Sequence, residues 1–238
     1  MLANEAISGR GTAEVRAVDW PILQGLHETD RTRVLAATVR HGYSRDETVV
    51  HQGDPGGAFH LLARGRVAVR VSTPDGETVT LSVLGPGDFF GEQALLGPRH
   101  ERTASVVALE PVETLSMDGA RFDQLRRAYP SVEHLLVEVL ASQVRRLTAH
   151  LLEALYLPAE QRTLRRLLEL LGRYDGGAPV VVPITQEDLA TMAGTTRPTV
   201  NRVLRRMEAA GALRLSRGHI EVVAVDILRR RAEAPANP

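Results

Sequence analysis

The sequence contains no cysteine and no lysine among its 238 residues, and only 4% of them are aromatic. The absence of cysteine excludes thiol redox switching, iron–sulfur ligation and cysteine-based zinc sites, because each requires the sulfur atom. No run of eighteen apolar residues is present, and no basic segment followed by an apolar one opens the chain. A membrane span and a secretory signal are therefore not predicted, and we expect a cytoplasmic protein.

The basic residues are all arginines, and their distribution along the chain is uneven. From residue 158 onward, thirteen arginines stand against nine acidic residues, whereas sixteen arginines stand against twenty acidic residues before it. An acidic first part and a basic second part suggest different partners. We therefore expect any contact with nucleic acid in the second part.

The first half of the chain alternates between turn signals and short apolar segments. Residues 1–16 have no sustained periodicity and are interpreted as a flexible arm. Five apolar residues at helical spacing then predict short helices before Gly42; these are Leu23, Leu26, Val34, Leu35 and Val39. Six short strands follow, at 48–50, 59–62, 67–71, 79–83, 106–109 and 112–115. Strands at this spacing, separated by glycine and proline, predict a small antiparallel barrel or roll.

One segment interrupts these strands, Phe89–Ser105, which reads FFGEQALLGPRHERTAS. Gly91 lets a ligand approach the backbone, and Arg102 offers a planar fork that fits two phosphate oxygens. Thr103 adds a hydroxyl, and Glu92 is an acceptor suited to a sugar hydroxyl. The residues alone leave two interpretations open. One is a pocket for a small phosphorylated sugar compound, and the other is a Glu–Arg pair across a tight loop.

A long helix is predicted from Pro130 to Leu157. Its apolar residues recur at steps of four and three, as in a coiled-coil seam; they are Leu136, Leu140, Val144, Leu147, Leu151 and Ala154. A helix packed only on its own barrel is the alternative. A second apolar flank favours a helix that also contacts a second copy of the chain. Pro158 marks the domain boundary.

The last eighty residues have the pattern of a helix-turn-helix. One helix begins near Thr185, Gly194 supplies the turn, and Thr196 is placed to cap a second helix over Arg197–Ala210. An ordinary helical hairpin is the alternative. The polar residues on the outward half of the second helix favour DNA recognition. A hairpin wing follows at 213–223 with Arg217 at its tip. The predicted DNA-binding residues are Thr185, Thr196, Arg197, Thr199, Asn201, Arg202 and Arg217.

Together these segments resemble the Crp/Fnr family of bacterial transcription regulators over roughly residues 20–230. The similarity lies in HQGD at His51–Asp54, in the Gly65–Gly76 pattern, in the GE…RT residues and in GTTRPTVNRVL. The resemblance implies an α+β fold: a cyclic-nucleotide-binding β-roll (a jelly-roll-like barrel), a long dimerisation helix and a winged helix-turn-helix. The predicted division is an arm at 1–16, an effector domain at 17–129, a dimerisation helix at 130–157 and a DNA-binding domain at 158–238.

The resemblance also implies roles for individual residues. Gly91 and Glu92 are expected at the nucleotide ribose and phosphate, and Arg102 and Thr103 at the cyclic phosphate. The adenine-recognising pair, one residue from each subunit, corresponds to Leu147 and Thr148, and Leu147 departs from the family pattern. On the DNA side, Arg197 and Arg202 correspond to the base-reading arginines. Pro198 replaces the glutamate between them, so we expect a different base preference at that step.

The expected function is that of a homodimeric regulator of double-stranded, palindromic operator DNA. Its effector is expected to be a cyclic nucleotide, with cyclic AMP the first candidate, and no covalent or metal cofactor is expected. A regulator without a ligand, or with another effector such as cyclic di-GMP, is the alternative. A nucleotide-binding domain with a protein-docking tail is a third hypothesis. Enzymatic activity and a haem site are not favoured, because no nucleophile–base pair or readable histidine pair is present. By position in the resemblance, the Arg173–Ala178 loop is a candidate contact for RNA polymerase.

Overall fold

The computed structural model describes residues 18–96, 101–174 and 179–234. The predicted arm at 1–16 therefore lies outside the described residues, as do residues 175–178 of the candidate polymerase loop. No helix in the described part of the chain is both long enough and apolar enough to cross a membrane.

The first domain is a roll of two four-stranded antiparallel sheets. The strands are β1 (Val39–Tyr43), β2 (Thr48–Val50), β3 (Ala58–Arg64), β4 (Val67–Ser72), β5 (Thr78–Leu84), β6 (Phe89–Phe90), β7 (Ser105–Ala108) and β8 (Val112–Asp118). One sheet has the order β1-β8-β3-β6, and the other has the order β2-β7-β4-β5. All six predicted strands are present. The strands bury apolar residues to different extents: β3 is buried continuously over residues 59–63, whereas β7 alternates buried with partly buried residues.

Two apolar clusters fill this domain. The larger cluster contains Trp20, Phe59 and Phe122, and the Phe59 and Phe122 rings stack with their centroids 4.6 Å apart. Helices α1 (Glu28–Ala36) and α3 (Gly119–Ala128) bury apolar residues in it. The smaller cluster, centred on Leu62 and Val67, lies under the second sheet. The first sheet is thus covered by helices, which leaves the second sheet free to face other elements.

The prediction of helix up to Gly42 is wrong at its end. Val39 belongs to β1, which pairs with β8 from Val39 opposite Ser116 to Tyr43 opposite Val112. The side chain of Val39 is 56% exposed, so its apolar character does not serve a helix core. Pairing with a strand more than 70 residues away overrides the local helical spacing.

The helix α4 spans Pro130–Tyr156 and links the two halves of the chain. Tyr129 is its N-cap and Leu157 its C-cap, next to Pro158. Only Val132 and Leu136 of this helix are buried. Its later apolar residues are exposed in the single chain, between 52% and 78%; they are Val137, Val144, Leu147, Leu151, Leu152, Leu155 and Tyr156.

The C-terminal part contains four helices and a three-stranded sheet. The helices are α5 (Ala159–Leu171), α6 (Gln186–Met192), α7 (Arg197–Ala209) and α8 (Val225–Glu233), and the strands are β9 (Val180–Val182), β10 (Leu213–Ser216) and β11 (His219–Val222). The wing strand β11 pairs with both β10 and β9. One apolar cluster joins all these elements. The expected α+β class, with a roll followed by a winged helix-turn-helix, is therefore confirmed.

Thr196 does not cap α7 as expected. It occupies the N-cap position, but its hydroxyl makes no bond to a backbone N–H. Instead its Oγ1 lies 3.1 Å from Oγ1 of Thr199. By contrast, Thr185 caps α6, since its Oγ1 accepts a hydrogen bond from the backbone N–H of Asp188 at 3.0 Å. A hydroxyl neighbour inside the first turn thus competes with the backbone for Thr196.

The two domains pack against each other through β5 and α6. Arg70 Nη2 donates to Asp188 Oδ1 at 2.9 Å, and the Thr80 hydroxyl donates to the same oxygen at 2.8 Å. A second contact lies nearby, where Arg66 donates to the backbone carbonyl of Arg173 at 2.7 and 2.9 Å. The guanidinium of Arg66 also stacks 3.8 Å above the Tyr174 ring centroid. The Asp188 contacts fix α6 against the second sheet of the roll, and the Arg66 contacts fix the residues that follow α5.

Candidate ligand cavity and nucleic-acid interface

A cavity of about 170 Å³ lies between the second sheet of the roll, the Phe89–Ser105 segment and α4. Gly91, Glu92, Arg102 and Thr103 all line it. The structure therefore brings together the four residues that the sequence placed in one pocket. Residues 97–100 of the segment lie outside the described residues.

Arg102 is held inside the domain by backbone carbonyls. It is only 7% exposed. Its Nη2 donates to the backbone carbonyl of Ala58 at 2.7 Å, and its Nη1 donates to the backbone carbonyl of Gly91 at 3.4 Å. Gly91 has φ +94°, and a Cβ there would lie 2.6 Å from the Ala58 carbonyl and would clash with the guanidinium. Only glycine fits this position, because the backbone passes directly over the arginine fork.

Glu92 is 5% exposed and begins the short helix α2 (Glu92–Leu96). Burial raises the pKa of its carboxyl group, and the nearby charge of Arg102 opposes that shift. Within the described residues, Glu92 and Arg102 form no ion pair. The alternative of a Glu–Arg pair across the loop is therefore not what the structure shows. A buried guanidinium and a buried carboxyl group, both at the cavity wall, leave donors and an acceptor for one ligand.

Thr103 lies at the exposed side of the cavity. Its hydroxyl donates to Oε1 of Gln93 at 3.1 Å, and this bond can exchange for a bond to a ligand oxygen. His60, behind the segment, stacks on Phe90 with ring centroids 4.8 Å apart. Burial, followed by the charges of Arg102 and His41, lowers the pKa of His60 to about 4. The ring is therefore neutral near pH 7, and its Nδ1 lies 3.4 Å from the hydroxyl oxygen of Thr114.

The α4 wall of the cavity contains more polar residues than the sequence indicated. Leu147 lines the cavity, as do Gln143, Arg146 and His150, whereas Thr148 does not. The Thr148 hydroxyl donates to the carbonyl of Val144 at 3.0 Å. Gln143 lies four residues before Leu147 and His150 three residues after it, so the helical period would have identified these two, whereas Arg146 is the direct neighbour of Leu147.

The outward face of α7 carries unpaired arginines. Arg197 and Arg202 are exposed and make no hydrogen bond or ion pair with any residue that the structure describes. Farther along the helix, Arg205 pairs with Glu208 at 2.8 Å and Arg206 pairs with Glu160 at 3.2 Å. The two arginines expected to read bases are thus the ones without an acidic neighbour, which leaves their donors available to an anion.

The remaining predicted DNA-binding residues surround the same face. Asn201 is engaged, since its Nδ2 donates to Gln186 Oε1 at 2.9 Å, and this bond joins α7 to the start of α6. At the wing, Arg214 pairs with Glu221 at 3.3 Å, whereas Arg217 is exposed and has no partner among the described residues. Thr185 caps α6, because its Oγ1 accepts a hydrogen bond from the backbone N–H of Asp188. The set therefore divides into three exposed arginines without a partner among the described residues and four polar residues that bond within or between the two helices.

Within the described part of the chain, no group of three or more His, Asp or Glu side chains is arranged to hold a metal ion. The site that does emerge is a cavity lined by a buried arginine. It is followed by a helix pair with free arginines and by a basic wing. This arrangement defines a two-domain protein with a ligand-type cavity in a β-roll and a winged helix-turn-helix.

The comparisons with known proteins agree with that class. Residues 40–129 match the family described as "Cyclic nucleotide-binding domain", and residues 161–231 match the "Crp-like helix-turn-helix domain". A "Cyclic AMP receptor protein" of Thermus thermophilus is 35% identical over 202 residues, which cover 85% of this chain and 92% of the relative. A "CRP-like cAMP-activated global transcriptional regulator" of Mycobacterium tuberculosis is 31% identical over 194 residues, which cover 80% of this chain and 86% of the relative.

Solved structures give the same result. The Catabolite Activator Protein of Thermus thermophilus is 35% identical and superposes with a TM-score of 0.52, covering 89% of this chain and 98% of that one. FixK2 of Bradyrhizobium japonicum, at 20% identity, has a TM-score of 0.72 over 84% and 99% of the two chains and supports the fold alone. The chain belongs to the Crp/Fnr family of DNA-binding transcription regulators with a cyclic-nucleotide-binding domain.

Proposed function

We propose that the chain is a homodimeric transcription regulator whose affinity for a palindromic operator is controlled by a cyclic nucleotide in the roll cavity. Cyclic AMP is the first candidate, since the relatives at 35% and 31% identity are named for it. The observation that carries the proposal is the buried guanidinium of Arg102 at the cavity wall. A guanidinium with fixed planar geometry at the wall of a cavity suits a cyclic phosphate.

The residue roles follow from the chemistry of each group. Arg102 and Thr103 donate to the phosphate oxygens, and Glu92 accepts from the ribose 2′-hydroxyl. Gly91 leaves room for the backbone to approach the ligand. Leu147 contributes an apolar surface to the base, and Thr148, which does not line the cavity of its own chain, is assigned to the cavity of a second copy. Base selection therefore depends on both subunits.

The proposed dimer forms through α4. The exposed leucines and valines of this helix form a stripe at steps of three and four, and burying them against a second copy removes apolar surface from water. Two recognition helices related by a two-fold axis would then contact successive major grooves about 34 Å apart. Arg197 and Arg202 read base edges, while Thr199 and Arg217 contact phosphates. The division into effector domain, dimerisation helix at 130–157 and DNA-binding domain remains part of this proposal.

The test is a calorimetric titration of the wild-type chain with cyclic AMP, cyclic GMP and cyclic di-GMP, followed by gel shifts with and without each nucleotide. The DNA is the duplex that the wild-type chain enriches from a random-sequence pool. We expect cyclic AMP to bind and to tighten DNA binding. Arg102→Ala should abolish nucleotide binding. Arg102→Lys keeps the positive charge but lacks the planar guanidinium with its paired N–H donors, so it should weaken nucleotide binding. Unchanged binding in both variants would show that the cavity assignment is wrong.

A ligand-independent regulator is the second candidate. It is favoured by one observation, that the guanidinium of Arg102 already donates to the Ala58 carbonyl, which is a structural role in itself. In that case the three nucleotides neither bind nor change the gel shift, and Arg102→Ala lowers the melting temperature instead. The same two experiments thus separate the candidates.

A further inference from the structure

His150 connects the cavity to the second domain. It lines the cavity from α4, together with Arg146, and it also lines a second cavity of about 200 Å³ at the junction between the domains. Its ring nitrogen Nε2 lies 3.2 Å from Oε1 of Glu169 on α5 and contacts Nη1 of Arg166 on the same helix. Among the described residues that line the first cavity, His150 alone hydrogen-bonds to the helices that follow Pro158.

The partners of His150 belong to a buried charge cluster between α4 and α5. Arg166 is 2% exposed and pairs with Glu153 of α4 and with Glu169 of α5, at 2.6 Å in the second case. Arg165 pairs with Glu153 as well, at 2.8 Å. A buried cation shared by carboxylates of two helices fixes the angle between them, because losing one partner leaves an uncompensated charge. The cluster therefore sets the angle between α5 and the long helix α4.

His150 can satisfy only one of its two α5 neighbours at a time. Burial and then the charge of Arg166 lower the pKa of its imidazole; Arg146 acts in the same direction, and Glu169 and Glu153 oppose it. The ring is therefore neutral near pH 7 and carries a single N–H. With the proton on Nδ1, Nε2 accepts from Arg166; with the proton on Nε2, it donates to Glu169. These are two discrete arrangements of one side chain at the cavity wall.

From this geometry we propose that His150 is a positioning residue that couples the cavity to the DNA-binding domain by exchanging its hydrogen bond between Arg166 and Glu169. The inference rests on the proposed cyclic-nucleotide effector. A ligand that fills the cavity contacts the face of the ring that lines it and stabilises one tautomer. The choice of tautomer decides whether His150 joins the buried arginine or the half-exposed glutamate of α5. A ligand shifts the equilibrium between the two arrangements only by binding one of them more tightly.

The experiment measures coupling, which is the ratio of DNA affinities at saturating and at zero nucleotide. It uses the full chain, cyclic AMP and cyclic GMP separately, and the duplex enriched by the wild-type chain. The variants are His150→Ala, His150→Gln and the control His134→Ala. His134 lies on the same helix, is 77% exposed and pairs with Glu138 at 3.4 Å, so it matches His150 in type but not in position.

We expect the wild-type chain to show a coupling of roughly 5- to 150-fold, the usual range for allosteric proteins. Because the ring lines the cavity, His150→Ala should bind nucleotide more weakly, and at saturating nucleotide its coupling should fall to within about two-fold of unity. His150→Gln, which keeps one donor and one acceptor at the end of the side chain, should retain part of the coupling. His134→Ala should behave as the wild type. A ¹⁵N spectrum of the His150 ring should show a different tautomer at saturating nucleotide.

Each other outcome has a distinct meaning. If neither nucleotide binds the wild-type chain, the proposed effector is wrong and the role of His150 is overturned with it. If nucleotide couples to DNA in the wild type and His150→Ala keeps the same coupling, only the role of His150 is overturned. An equal loss of DNA affinity with and without nucleotide would show a purely structural residue. An unchanged ring tautomer at saturation would overturn the exchange, and this readout does not depend on how the alanine variant folds.

Discussion

Arg70 on β4 donates to Asp188 on α6 across the domain boundary, at 2.9 Å and across a separation of 118 positions in the chain. The side chains are 26% and 11% exposed, so water screens this pair only in part. Asp188 Oδ1 also accepts from Thr80, and Oδ2 accepts from the hydroxyl of Thr185, which caps the same helix. One carboxylate therefore links the second sheet of the roll to the first helix of the helix-turn-helix.

Breaking this pair should loosen the domains from each other. We expect Arg70→Ala to cost about 1–2 kcal/mol of unfolding free energy, below the 3–5 kcal/mol typical of a fully buried pair, because Thr80 still donates to Asp188. A double-mutant cycle with Asp188→Asn, followed by chemical denaturation, measures the pair itself. Arg33→Ala is the control, since Arg33 is 80% exposed and pairs with Asp30 at 3.4 Å within one helix. Strictly additive losses in the cycle would contradict a direct interaction.

The cap of α6 should be worth a measurable part of the stability of the second domain. Thr185→Ala removes the acceptor for the Asp188 backbone N–H, and we expect a loss of about 1 kcal/mol. Thr185→Ser keeps the hydroxyl and should restore most of it. Thermal unfolding followed by circular dichroism gives both values. If serine and alanine behave alike, the methyl group and not the cap is the stabilising feature.

The free arginines of α7 should affect DNA binding without affecting stability. Arg202→Ala and Arg197→Ala should each weaken the binding free energy for the enriched duplex by about 1–3 kcal/mol. Each removes a guanidinium that can donate two hydrogen bonds to a base edge. Arg205→Ala is the matched control on the same helix, since Arg205 already pairs with Glu208. Fluorescence anisotropy at several salt concentrations separates base reading from phosphate contacts. A loss that is equal for enriched and random duplexes would assign these arginines to the phosphate backbone.

His60 should make stability depend on pH between about 4 and 6.5. Its pKa is about 4 in the folded chain, against an ordinary value of 6.5, so the unfolded chain binds the proton first as pH falls. The contribution of neutral His60 to the free energy of unfolding is fully present above pH 6.5 and is lost progressively as pH falls to about 4. Its upper limit is about 3 kcal/mol. The measurement is urea denaturation at pH 7.0, 5.5 and 4.5. His60→Gln should remove the His60 part of the slope, and an identical slope in the variant would contradict it.

The local pattern was sufficient for most elements but not for those that depend on distant pairing. The six roll strands and both helices of the helix-turn-helix were predictable because apolar residues follow the strand or helix period and turns carry glycine. Val39 was misplaced because its strand exists only by pairing with Ser116 and its neighbours. The helix α8 was not identified, although Leu228 and Ala232 are buried in the same cluster as the recognition helix.

In the candidate site, too, the residues close together in the chain were predictable, whereas contacts between distant residues were not. The sequence predicted Gly91, Glu92, Arg102 and Thr103 together because they lie within thirteen residues. It could not show that Arg102 is held by the carbonyl of Ala58, since this contact spans 44 residues. The role of His150 at the junction with α5 was also out of reach, because it depends on the angle at which the chain continues after Pro158.

Disrupting the exposed stripe of α4 should dissociate the proposed dimer. Leu151 is 60% exposed in the single chain and does not line the cavity, so Leu151→Arg alters the stripe without touching the ligand wall. An arginine placed in an apolar interface leaves a buried charge without a partner, and we expect a monomer by analytical ultracentrifugation. Nucleotide contacts within one chain should survive in calorimetry, although the contribution assigned to Thr148 of the second copy should be lost. DNA affinity should fall steeply, because one recognition helix contacts half a site. His134→Ala, on the same helix, should stay dimeric. A variant that remains dimeric with wild-type DNA affinity would place the interface elsewhere.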